Sequence, residues 1–160
     1  MITKVLVKGF RVLKDANVSL RPGRNILVGN NDAGKSTFLQ AIHLALSGQL
    51  AGRGVAGQIS PDFFNIEIVT EFCKAVNAKK KVAAPEILIE VYFKASEDIA
   101  KLRGTNNSLK EDAHGVSFAI RLNDDFADEY ASYIDAGEVQ AVPVEFYSVD
   151  GLRAWPESLP

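Results

Sequence analysis

Eight residues, Gly29-Asn30-Asn31-Asp32-Ala33-Gly34-Lys35-Ser36, join two stretches of different character. Before them lies Asn25-Ile26-Leu27-Val28, a short apolar run set off by the turn-forming Arg21-Pro22-Gly23-Arg24. An apolar run of that length between turn signals suits a strand buried on both faces. After them Phe38, Leu39, Ile42 and Leu46 recur at helical spacing as far as Gly48, a natural helix stop. The sequence therefore predicts strand, glycine-bounded loop, helix, an order that few folds accommodate.

The spacing Gly29-x-x-x-x-Gly34-Lys35-Ser36 is the full Walker A pattern, and its context is the one that gives the pattern meaning. Gly29 and Gly34 allow the backbone to approach a ligand closely. Consecutive N–H groups, with Asn30, Asn31, Asp32 and Ala33 contributing mainly backbone donors, would surround a phosphate. The helix N-terminus adds positive potential. Lys35 would reach the β- and γ-phosphates, Ser36 would ligate Mg²⁺, and Thr37 would bond the α-phosphate. The expected ligand is a nucleoside triphosphate, ATP with Mg²⁺, although no motif here selects adenine over guanine.

Elsewhere the pattern is mixed. Residues 2–10 alternate as a strand, and Val18–Leu20 reads as a short second one. Residues 47–60 carry four glycines and read as a loop; Pro61 opens a helical region, and 65–78 has a helical apolar stripe. Ile87 to Phe93 and Val116 to Leu122 alternate as strands, 97–102 suggests a short helix, 124–134 a helix capped by Asn123 or Asp124, and 142–149 a last strand. The fold class is α/β (mixed α+β), with residues 1–150 as one lobe and 151–160 as a tail.

Bulk properties narrow the function. The net charge is −2, so nucleic acid would need a local patch, for which Lys79-Lys80-Lys81 with Lys74 is the candidate against a plain solvated loop. The single cysteine, Cys73, lies on an apolar helical stripe and reads as core. Two histidines far apart, His43 and His114, give no zinc pattern. No signal-peptide core and no membrane-length apolar run is present, which points to the cytoplasm. Asp124-Asp125 and Asp128-Glu129 are better placed to favour a helix dipole than to act as a catalytic pair. Asn106-Asn107 reads as a turn.

Gly9-Phe10-Arg11, the segment Asn25 to Thr37 and Leu39-Gln40-Ala41-Ile42 resemble the SMC–RecF branch of ABC-type ATPases. Within it, Ser60-Pro61-Asp62-Phe63, Ile87 to Phe93 and Pro143-Val144-Glu145-Phe146-Tyr147 are similar to segments of the overcoming-lysogenization-defect (OLD) family of ATP-dependent endonucleases. The resemblance implies a P-loop NTPase with an ABC/SMC-like N-terminal lobe and an antiparallel β-subdomain. It implies Arg11 near the nucleotide, and Gln58 or Asp62 as a sensor of Mg²⁺ and γ-phosphate. It also implies a signature motif, a Walker B acidic pair, a switch histidine and a Toprim nuclease portion, none of which is visible; Asp150, a single acid after an apolar run, is the nearest Walker B text. The expectation is an incomplete head that binds nucleotide but hydrolyses it poorly. Its partners would be a missing ATPase/Toprim portion or a second copy, with DNA in the full-length context and no membrane. The alternatives are an SMC–RecF-type repair or phage-defence ATPase without nuclease, or an interaction module that keeps the fold alone.

Overall fold

The fold is built on strand alternation. The computed structural model describes residues 1–31 and 33–155. Strands β1 (Ile2–Phe10) and β2 (Leu13–Ser19) form a hairpin. Helix α1 (Lys35–Ser47) follows the glycine-bounded loop, then β3 (Gln49–Leu50) and β4 (Arg53–Gly54), a two-rung hairpin. Helix α2 spans Ile66–Asn77, β5 Ile87–Phe93, β6 Arg103–Gly104, β7 Ala113–Leu122, α3 Ala127–Ala136 and β8 Tyr147–Ala154. The main sheet runs β2-β1-β5-β7-β6, with β8 also on β7, and every pairing is antiparallel.

Period-two alternation sends Val5 and Val7 of β1, Ile87, Ile89 and Val91 of β5, and Val116, Phe118 and Ile120 of β7 to one face. Phe38, Ala41, Leu44 and Ala45 of α1 pack into this same core. The core therefore holds the helix that leaves the glycine-bounded loop. On the opposite face Leu6, Tyr92 and Trp155 form a second, smaller cluster. There Glu90, 2 % exposed, accepts hydrogen bonds from the Tyr92 hydroxyl (3.0 Å), the Ser108 N–H (2.7 Å) and the Ser108 hydroxyl (2.7 Å), which fastens the 105–111 loop to the sheet. A buried carboxylate requires such partners.

Several expectations need correction. Asn25 to Val28 belongs to no strand; Ile26 is 75 % and Val28 89 % exposed. The apolar run is present, but no described strand lies beside it to pair. The loop at 47–60 contains the β3–β4 hairpin. Residues 144–146 form a 3₁₀ turn after Pro143, and the strand starts later, at Tyr147. Residues 151–154, expected as tail, complete β8, and Trp155 is fully buried. Asn107 does open a turn, with Lys110 N–H on its carbonyl (3.1 Å), and is in addition buried, 4 % exposed, donating to Glu111 O (2.7 Å). No helix among the described residues is long and apolar enough to cross a membrane.

Candidate functional site

The loop geometry starts at Gly34. It is the N-cap of α1, with φ 85° and ψ 8°, in the left-handed region. A Cβ there would lie 2.9 Å from Leu13 Cδ2 and 3.2 Å from Val12 Cγ2, so the β1–β2 hairpin closes directly onto the loop. Gly29 faces Ala33 across the loop, where a Cβ would stand 3.0 Å from the alanine Cβ. Ala33 N–H donates to Asn30 O (3.2 Å) and Phe38 N–H to Gly34 O (2.8 Å), the latter being the first bond of the helix. The N–H groups of Lys35, Ser36 and Thr37 lie in the first turn, where helical N–H groups have no intrahelical acceptor.

The Lys35 side chain folds back across the loop. Its ammonium donates to Gly29 O (2.6 Å) and Asn30 O (2.5 Å). A positive charge, free helix N–H groups and a helix dipole thus converge on one cleft, lined by Val12, Asn31, Gly34, Lys35, Ser36 and Thr37. This donor set suits the phosphates of a nucleotide. Ser36, exposed at the second helical position, offers one hydroxyl oxygen to a hard cation. Among the described residues there is no group of three or more His, Cys, Asp or Glu that could hold a metal. Mg²⁺ here would therefore take most of its oxygens from phosphate and water. Asp32 lies outside the described residues.

Arg11 sits at the tip of the β1–β2 hairpin with φ 50°. Its guanidinium donates from Nη1 to Gln40 Oε1 (2.7 Å) and lies 5.5 Å from the Phe10 ring centroid and 5.9 Å from that of Phe63. Gln40 is four residues after Ser36 on α1, which places the two on one helix face. Asp62 and Arg11 line one cleft, with Val12 shared between it and the cleft of the loop. Gln58 lines neither; it is exposed and its N–H turns back to Val55 O (2.9 Å).

Asp150 is excluded from this site by strand register. It pairs with Ala119, whose neighbours Phe118 and Ile120 point into the core under α1. Ala119 and Asp150 therefore face the other side of the sheet. There Asp150 is bonded to Arg153 (2.6 Å) and lies 3.8 Å from Arg121. Lys79–Lys81 lie at the end of α2, where Lys79 donates to Asp135 O (2.7 Å). Cys73 is half-buried, and burial pushes its thiol pKa up, away from nucleophilic use.

Val12 and Gln40 beside the loop were not singled out from the sequence. Gln40 could have been found from its i+4 spacing to Ser36. Val12 carries no local signal; only the tertiary approach of the hairpin reveals it.

A family model described as AAA ATPase domain matches residues 1–141. Among curated relatives, the DNA replication and repair protein RecF of Erwinia tasmaniensis is 38% identical over 58 residues, 36% of this chain and 16% of that protein. RecF of Enterobacter sp. (strain 638) is 45% identical over 42 residues, 26% of this chain and 12% of that protein. Each match thus spans under a fifth of the relative's length. A solved structure described as "Structural biochemistry of ATP-driven dimerization and DNA stimulated activation of SMC ATPases" aligns over 96% of this chain and 71% of its own at 20% identity, with a TM-score of 0.45.

Proposed function

This chain belongs to the AAA ATPase domain family, and we propose that it is a nucleotide-binding lobe that takes the triphosphate of ATP, with Mg²⁺, on Gly29–Thr37. The fold is mixed α/β with an antiparallel sheet, of the ABC/SMC-like P-loop NTPase kind. The observation that carries the reading is the Lys35 ammonium held over the loop by the Gly29 and Asn30 carbonyls, beside the N-terminus of α1. Lys35 binds the phosphates as a point charge, Ser36 supplies a hydroxyl to Mg²⁺, and the Gly29–Ala33 backbone and Thr37 complete the cradle. Arg11 and Asp62 line the adjoining cleft, which shares Val12 with the cradle.

Turnover by this chain alone is slow in this reading. Hydrolysis needs a carboxylate to orient water, and none of the described residues lining the loop's cleft is acidic. The lobe works with a further ATPase portion or a second copy, which would also cover the exposed 26–28 run. The likeness to the DNA replication and repair protein RecF fits an SMC–RecF-type repair ATPase as well as it fits the head of an OLD-like enzyme. The OLD-like endonuclease reading rests on the resemblance of residues 60–63, 87–93 and 143–147 alone. Lys79–Lys81 would give only a salt-sensitive contact to DNA.

Equilibrium binding of Mg-ATP to the wild type and to Lys35→Ala tests the proposal. The expected result is saturable binding that weakens at least about tenfold in the variant, a loss of ~1.4 kcal/mol. A folded wild type that binds no better than Lys35→Ala would refute it.

A further inference from the structure

Asn65 is 3 % exposed and uses both ends of its side chain. Its Oδ1 accepts from Glu67 N–H (3.1 Å) and Ile68 N–H (3.3 Å), capping α2. Its Nδ2 donates to the carbonyl of Arg11 (2.7 Å). The acceptors on one side and the donors on the other leave no ambiguity about which atom is nitrogen. Two backbone bonds run beside it, Asn65 N–H to Gly9 O and Arg11 N–H to Phe63 O, both 2.8 Å. The tip of the β1–β2 hairpin is thus strapped to the segment entering α2.

That strap holds a backbone conformation that does not hold itself. Arg11 is at φ 50°, a region disfavoured for a residue with a side chain. From this tip Arg11 reaches Gln40 of α1, and Val12 packs on Gly34 and lines the cleft of the phosphate loop. If the tip moves, both contacts move with it.

We infer that Asn65 is a positioning residue for the nucleotide site, fixing the Arg11–Val12 tip against the loop through the Arg11 carbonyl. The inference rests on the proposed binding of nucleotide at that loop. Among the described residues, Asn65 has no hydrogen bond to Gly29–Thr37; it acts through the hairpin tip.

The cap and the strap are separable by chemistry. Asn65→Asp keeps an acceptor for the α2 N–H groups, removes the donor, and sets a carboxylate against a carbonyl. Asn65→Ser also caps but is too short to reach Arg11 O. Both variants should therefore keep α2, at a Tm lowered by the lost bond to Arg11 O and, in Asn65→Asp, by the buried carboxylate, so affinity is read well below each variant's Tm. Mg-ATP affinity is measured for the wild type, Lys35→Ala, Asn65→Asp and Asn65→Ser, and for Asn65→Asp in an Arg11→Ala background. The expected result is an affinity about fivefold or more below wild type in both Asn65 variants, the scale of one lost hydrogen bond. In the Arg11→Ala background, which keeps the carbonyl and the Val12 contact, the further loss should be smaller than in the wild type, the remainder passing through Val12. Asn65 variants that bind as tightly as wild type overturn the inference, as does an equal loss in both backgrounds, which would mark a merely structural role. A wild type that fails to bind, with Lys35→Ala no different, overturns the nucleotide reading and this inference together.

Discussion

Gly115 lacks a side chain because Trp155 occupies that space. A Cβ built there would overlap the indole ring and the Val91 carbonyl. The indole is fully buried, 4.5 Å from Tyr92 between ring centroids, and it covers the outer face of the sheet beside Leu6. Gly115→Ala should therefore expel the ring and cost about 1–3 kcal/mol, the range for overpacking. Trp155 is the one tryptophan in the chain, so the change is read directly. Its emission should shift to the red and the denaturant midpoint should fall; an unmoved emission maximum would show that the sheet can yield at β7 without releasing the ring. Gly34 is constrained differently, by its left-handed φ as well as by Leu13 and Val12. Both glycines occur in the sequence without announcing these neighbours. The Walker A spacing gave Gly34 away, and nothing local gave away Gly115.

At the scale of elements, the run from Asn25 to Val28 contributes little to the stability of this lobe. Ile26 and Val28 are largely exposed. Substitutions away from the core usually change stability by under about 0.5 kcal/mol. Ile26→Asp with Val28→Asp should leave the unfolding free energy within that margin. The same pair should reduce self-association in light scattering across dilutions, because an exposed apolar segment invites another chain. A large stability loss would mean that the segment is packed in solution. Alternation made β1, β5 and β7 legible, since each buries a regular apolar face. It failed for β8, an edge strand whose Asp150, Gly151 and Arg153 leave no clean apolar period. It failed in the opposite sense at 25–28, where an apolar pattern has no described strand to pair with. The phosphate loop was legible because its chemistry is local. The Arg11–Gln40 bond and the Asn65 strap were not, because they join residues 29 and 54 apart in sequence.

For the whole molecule, two buried phenols set the alkaline limit. Burial, and then the Glu90 carboxylate, raise the pKa of Tyr92 well above the usual phenol range. Burial, and then neighbouring Tyr130, do the same for Tyr147. In the unfolded chain both ionise near pH ~10. Above that pH the unfolded chain binds fewer protons than the folded one, so stability falls as pH rises. Their contribution is complete below pH ~10 and is lost progressively toward the raised folded values. Unfolding free energies measured from pH 8 upward should show this fall, and Tyr147→Phe should flatten it; an identical slope in the variant would assign the fall to other groups. The order of strands has a consequence for synthesis. β1 sits between β2 and β5, and β5 is made only after α1 and α2. At ribosomal speeds the nascent β1–β2 hairpin waits on the order of several seconds for its inner partner. Two strands alone are marginal in water. The phosphate loop, made early, thus has no settled scaffold until the second half of the chain emerges, and in that interval the newborn lobe depends on whatever shields its apolar face.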